Sequence, residues 1–102
     1  MQFEIKEEKN IIFFIKSELT LTNHKVTREE FNKIITKNKN VTIDLTDCDY
    51  IDSSGIGELI SLNKKILDKG NNLIIININK KIRSILEMCS LKSFIKVEDD
   101  GS

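Results

Sequence analysis

The stretch Asp52-Ser53-Ser54-Gly55-Ile56-Gly57 sets a carboxylate and two hydroxyls at the point where one hydrophobic period gives way to another. Upstream, Val41-Thr-Ile-Asp-Leu-Thr46 alternates apolar and polar residues at the strand period, and downstream Ile56, Leu59, Ile60, Ile66 and Leu67 recur at helical spacing. The stretch is therefore the approach to a helix and its first turn. A helix start exposes about four backbone N–H groups and the positive end of the helix dipole, an environment that suits an oxyanion or a phosphate. The plainer role is a cap, since Asp52 and Ser53 are ordinary choices for that position. Gly55 and Gly57 point beyond a cap, because each weakens the helix by about 1 kcal/mol relative to Ala. Bare backbone here predicts close approach by a partner.

Other chemistries find little support. The chain has no Gly-x-x-x-x-Gly-Lys-Ser/Thr, and Gly55-x-Gly57 lacks the third glycine of a dinucleotide fingerprint. An esterase elbow needs Gly-x-Ser-x-Gly, but Ile51-Asp52 precede Ser53. The one candidate base, His24, falls at the start of a different helix and reads as solvated surface. Asp44, Asp47, Asp49 and Asp52 could suggest a cation site or a receiver domain, with Lys80 or Lys81 as its lysine. Asp44 lies within the strand itself, however, and Asp47 and Asp49 flank Cys48 in a loop where polar turn-formers are ordinary. Cys48 and Cys89 have no Cys-x-x-Cys partner, so neither zinc nor a disulfide framework is indicated, and Cys89 reads as packing on a helix. No metal or other cofactor is implied.

The elements that must position the motif follow from the same periodicities. Phe3-Glu-Ile-Lys and Asn10-Ile-Ile-Phe-Phe-Ile-Lys16 read as a hairpin, and the unbroken apolar run from Ile11 to Ile15 predicts a strand covered on both faces. Thr22 or Asn23 can cap a helix running to about Lys37, with Val26, Phe31, Ile34 and Ile35 as its buried stripe, and Asn38-Lys39-Asn40 ends it. The helix after Ser54 carries Lys64, Lys65 and Lys69 near its C-terminus and stops at Gly70. A strand follows over Leu73 to Ile78, then a shorter helix with Ile82, Ile85, Leu86 and Cys89 or Met88 on one side, then a last strand over Phe94-Ile-Lys-Val97. The order β-β-α-β-α-β-α-β predicts an α/β fold with a mixed sheet of about five strands and helices packed against it. In such sheets ligands gather at the carboxyl ends of the strands, where Asp47 to Gly57 lies.

With 102 residues, no proline and no low-complexity block, the chain reads as one domain over 1–102. Sixteen basic and sixteen acidic residues cancel, so no global field favours nucleic acid or an anionic membrane, and a specific protein partner is the natural expectation. Met1-Gln-Phe-Glu-Ile-Lys-Glu-Glu8 lacks the apolar core of a signal peptide and no apolar run is long enough to cross a bilayer, so the chain reads as cytoplasmic without direct membrane insertion.

Beyond these physical readings, Val41 to Thr46 followed by Tyr50-Ile-Asp-Ser-Ser-Gly-Ile-Gly57 resembles the central strand and Asp-Ser-Ser/Thr-Gly-aliphatic-Gly signature of the STAS domains, named for sulfate transporters and anti-sigma factor antagonists. Asn72-Leu-Ile-Ile-Ile76 and Ile82-Arg-Ser-Ile-Leu-Glu-Met88 are similar to that family's later strand and helix. The resemblance implies a non-enzymatic anti-sigma factor antagonist whose phosphoacceptor, the serine directly after the aspartate, is Ser53, with Ser54 the second choice. It implies as partners an anti-sigma factor with serine kinase activity, contacted through Asp52, Ser53, Ser54, Gly55, Ile56 and Gly57, and a serine phosphatase that resets the switch. The alternative within the family is a constitutive scaffold subunit of a membrane transport system. The chain departs from the antagonists at Ser17-Glu-Leu-Thr20, where Gly-Glu-Leu-Asp is common, and at Ser90, where a glycine is usual; Asp99-Asp-Gly-Ser102 stands where many relatives continue into a further helix.

Overall fold

The computed structural model describes residues 2–98, which form five strands and three α-helices. Strands β1 (Phe3–Glu7) and β2 (Ile11–Ile15) make the antiparallel hairpin. Helix α1 (His24–Ile35) leads to β3 (Val41–Asp44), and α2 (Ser53–Asp68) leads to β4 (Leu73–Ile76). Helix α3 (Lys80–Met88) and a 3-10 turn at Leu91–Ser93 then lead to β5 (Lys96–Val97). The sheet runs β1-β2-β3-β4-β5, with β2 to β5 parallel, which is the mixed α/β architecture expected from the sequence. Each crossover steps to the next strand in one direction, and right-handed crossovers then place all three helices on the same face. Residues 99–102, where the resemblance suggested that relatives continue into a further helix, lie outside the described residues.

Strand alternation shows which face that is. Ile11, Phe13, Ile15, Val41, Ile43, Leu73 and Ile75 are all at most 3 % exposed and share one core with Phe31, Ile34, Leu59, Leu62, Ile66 and Leu86 from the helices. The intervening Ile12, Phe14, Thr42, Ile74 and Ile76 are only half-buried and point to the other side. The expectation that β2 is covered on both faces is thus corrected, because no helix among the described residues lies over the second face of the sheet.

Several helix assignments shift for similar reasons. Val26 is 46 % exposed at the cleft beside Phe3 and Ile5, and the buried position passes to Thr27, whose hydroxyl donates to Asn23 O at 3.0 Å. Leu67 is exposed while Leu62 completes the buried stripe of α2. Helix α3 is short and buries only Ile82 and Leu86, so Met88 and Cys89 are exposed and the reading of Cys89 as packing is overturned. Phe94, expected to open the last strand, donates its N–H to Leu91 O within the 3-10 turn and is 59 % exposed, so β5 begins at Lys96. The end of α2 is as expected: Gly70 takes φ +82 and Asn71 N–H returns to Ile66 O at 3.1 Å.

Candidate functional site at the start of α2

Asp52 builds the junction. Its backbone N–H donates to Leu19 O at 3.0 Å and its carbonyl accepts from Ile56 N, within an isolated parallel bridge that pairs Leu19 with Ile51. One carboxylate oxygen, Oδ1, accepts from Gly55 N–H at 3.0 Å and so caps α2. The other, Oδ2, accepts from Leu21 N–H at 2.9 Å and so holds the approach to α1. Burial opposes its charge, but donation by the Leu21, Gly55 and Ser54 N–H groups outweighs that, and its pKa lies below the usual 3.8. One aspartate therefore ties together the approach to α1 and the entrance of α2.

The residues that follow alternate between serving the fold and facing solvent. Ser53, the first residue of α2, is exposed, and Ser54 is half-buried beside it. Gly55 is buried, and a Cβ built on it would lie 2.5 Å from Leu19 O and 2.8 Å from Ile51 Cγ2. The expectation that Gly55 admits a partner's backbone is corrected here: the chain's own Leu19 carbonyl occupies that space. Ile56, 7 % exposed, likewise faces the core. Gly57 is exposed, and a Cβ there would meet nothing within 4 Å, so it is the glycine of the pair that leaves room for a partner.

An open cleft of about 540 Å³ runs beside these residues, lined by Leu21, His24, Arg28, Ser53, Ser54, Gly57, Glu58, Ser61 and Lys65. A larger one of about 620 Å³ at the β1 edge holds none of them. Glu58 forms the floor of the cleft at Ser53, its side chain 8 % exposed and bound by Arg28 through Nε at 3.1 Å and Nη2 at 2.9 Å, both to Oε2. The half-exposed guanidinium lies over this carboxylate, and His24 Nδ1 stands 3.8 Å away. His24, read from sequence as solvated surface, is thus partly enclosed between α1 and α2. The Arg28–Glu58 pair was missed because a lone Glu on a helix carries no sequence sign of burial; its place between Gly57 and Leu59, nearly two turns past the cap, is the only hint.

The other acids do not converge on the junction. Asp44 is buried at the end of β3, where it accepts from Thr46 Oγ1 at 2.6 Å and Asn77 Nδ2 at 2.9 Å, while Asp47 and Asp49 are exposed. Among the described residues no group of three or more His, Cys, Asp or Glu is placed to hold a metal ion. Burial pushes the Cys48 thiol up to about 11. Thr20, where the family resemblance leads one to expect an aspartate, is buried with its hydroxyl unpartnered among the described residues. Ser90 adopts the left-handed conformation, φ 53, which glycine takes at least cost, in keeping with the glycine that the resemblance led one to expect. No helix among the described residues is long and apolar enough to cross a membrane.

The chain is similar to known proteins along nearly its whole length. The family model described as the STAS domain matches residues 2–101. The anti-sigma-B factor antagonist of Bacillus subtilis is 24 % identical over 95 residues, covering 92 % of this chain and 87 % of that protein. A crystal structure of a Thermotoga maritima protein superposes with a TM-score of 0.84 at 24 % identity, covering 96 % of this chain and 86 % of that one. The Bacillus cell fate determinant SpoIIAA in its phosphorylated form superposes with a TM-score of 0.68 at 14 % identity, covering 96 % of this chain and 92 % of that one.

Proposed function

The chain belongs to the STAS domain family, and from that premise we propose that it is an anti-sigma factor antagonist, a non-enzymatic binding module whose affinity for a kinase-type anti-sigma factor is set by phosphorylation of Ser53. The observation that carries the proposal is the division of labour at the junction: Asp52 holds the backbone rigid while the adjacent Ser53 hydroxyl is left exposed on the first residue of α2. The half-burial of Ser54 favours Ser53 as the acceptor. Similarity to the anti-sigma-B factor antagonist of Bacillus subtilis, and the existence of a phosphorylated form of one structural relative, support the same reading. Asp52, Ser53, Ser54 and Gly57 would meet the partner, with Gly55 and Ile56 shaping the turn from beneath. Unmodified protein would bind the kinase and so free a sigma factor; the phosphoprotein would release the kinase until a serine phosphatase removes the phosphate.

A phosphoryl group adds about −1.5 to −2 charges at a helix entrance whose N–H groups tolerate an anion, so its effect falls on the interface rather than on the fold. A partner carboxylate about 5 Å away would meet roughly 3 kcal/mol of repulsion per unit charge at an effective dielectric near 20, a loss of affinity on the order of a hundredfold. The test is incubation with the cognate kinase and ATP, mapping of the modified residue, and titration of variants. Ser53→Ala should bind the kinase permanently, Ser53→Asp should bind poorly, and Ser54→Ala should still be phosphorylated. Phosphate on Ser54 alone, or tight binding by Ser53→Asp, removes Ser53 from the mechanism. Copurification with a permease or transport ATPase, with Ser53 unmodified in cells, would instead support the scaffold reading.

A further inference from the structure

The sheet face opposite the helices carries a charge pattern that the Ser53 junction does not use. Cross-strand register places Lys6, Ile12, Thr42, Ile74 and Lys96 in one row across all five strands. One pleat along, Glu4, Phe14, Asp44 and Ile76 form the neighbouring row. Glu98 extends this second row past β5, since its N–H donates to Ile75 O at 2.8 Å. The first row thus ends in lysine on both sides and the second in glutamate on both sides, with Glu4 also accepting from Lys16 Nζ of its own chain at 2.9 Å and Lys6 standing 3.9 Å from Glu8. Between the ends, Ile12, Phe14, Ile74 and Ile76 are half-buried with no helix among the described residues over them.

We propose that this face binds a second copy of the chain, sheet against sheet, about a two-fold axis running across the strands. That axis lays the lysine row of each copy over the glutamate row of the other. Lys6 then meets Glu4 of the second copy, Lys96 meets its Glu98, Ile12 packs on its Phe14 and Ile74 on its Ile76. The central Asp44 already accepts from Thr46 and Asn77, and the Thr42 hydroxyl of the second copy lies opposite as a further donor. A two-fold axis parallel to the strands is disfavoured by the same pattern, because it would set Lys6 over Lys96 and leave Glu98 without an opposite charge. The product is a sandwich of two sheets about 10 Å apart with helices on both outer surfaces.

Strands of five, five, four, four and two residues, spaced about 4.8 Å and rising about 3.3 Å per residue, offer roughly 300 Å² per copy, less than half the contribution of each partner to a standard interface. The association is accordingly weak and concentration-dependent, with a dissociation constant on the order of 100 µM. It goes beyond the proposed switch, and because α2 lies on the opposite side of the sheet, Ser53 stays accessible in the dimer.

Sedimentation equilibrium on the full chain, from about 10 µM to about 1 mM and at about 50 and 500 mM salt, is the test. A monomer–dimer equilibrium that tightens at low salt is expected. Phe14→Lys should abolish it, with circular dichroism confirming the fold. The double variants Lys6→Glu with Lys96→Glu, and Glu4→Lys with Glu98→Lys, should each weaken self-association at least tenfold, while their equimolar mixture should recover dimers. A monomer at every concentration overturns the proposal, including the case in which the face binds a different protein or a further segment of the chain. Dimers indifferent to both double variants, or a mixture that fails to recover them, overturn it equally.

Discussion

Gly55→Ala and Gly57→Ala, two positions apart in one helical turn, should change stability in opposite directions. A Cβ on Gly55 would sit 2.5 Å from Leu19 O, 2.7 Å from Leu19 Cβ and 2.8 Å from Ile51 Cγ2. These atoms belong to the bridge whose hydrogen bonds, Leu19 N–H to Tyr50 O at 2.9 Å and Asp52 N–H to Leu19 O at 3.0 Å, hold the junction, so relieving the clash moves the bridge itself. Overpacking costs about 1–3 kcal/mol, and contact with backbone puts this case at the upper end. The gain in helix propensity returns about 1 kcal/mol. Gly55→Ala should therefore lose about 2 kcal/mol net, on the order of 10 °C in Tm for a domain of this size. At Gly57 nothing lies within 4 Å of the new methyl, so propensity acts alone and the variant should gain up to about 1 kcal/mol. Urea titration followed by circular dichroism, with the slope checked for constancy, measures both. Gly55→Ala as stable as the parent, or Gly57→Ala less stable, would refute the assignment of Gly55 to the fold and Gly57 to open surface. The same pair separates folding from recognition, since Gly57→Leu should weaken kinase binding in a fully folded protein.

Asp52→Ala removes both the cap of α2 and the acceptor for Leu21 N–H, and should destabilise by about 2 kcal/mol in thermal or urea unfolding. Because the folded-state pKa of Asp52 is depressed below 3.8, its contribution is complete above that pH and is lost as pH falls through the lower folded value. The stability gap between the parent and Asp52→Ala should accordingly narrow only below about pH 4, and a gap that narrows between neutrality and pH 5 would show that another group is responsible. Ser90→Gly relieves a left-handed φ of 53 and should stabilise by up to about 1 kcal/mol in the same assay; destabilisation would mean that the serine side chain supplies something its backbone does not.

The sheet was legible because strand alternation and burial are the same fact seen twice: the apolar residues at Val41, Ile43, Leu73 and Ile75 are those that meet the helices. The run Ile11 to Ile15 misled because apolar residues on both sides of a strand look alike whether a helix or a second sheet is to cover them. Pairings across elements were beyond reach for a different reason. Nothing local to Glu58 announces Arg28, and nothing local to Asn63 announces the Phe94 carbonyl that it holds at 2.9 Å, because each partner lies about thirty residues away in the chain. The geometry of the candidate site was half legible. Its position at the start of α2 followed from the change of period, whereas the roles of its two glycines did not, because glycine adds nothing to a hydropathy pattern. Yet helix geometry alone separates them. At about 100° per residue, the phase that buries Leu59, Leu62 and Ile66 brings Gly55 inward with them, one turn before Leu59, and carries Ser53 and Gly57 together to the opposite side with Ser61. The bare backbone at Gly55 lets the Leu19 strand pass close beneath the helix, and that close packing fixes Ser53 on the outer surface, where a kinase could reach it.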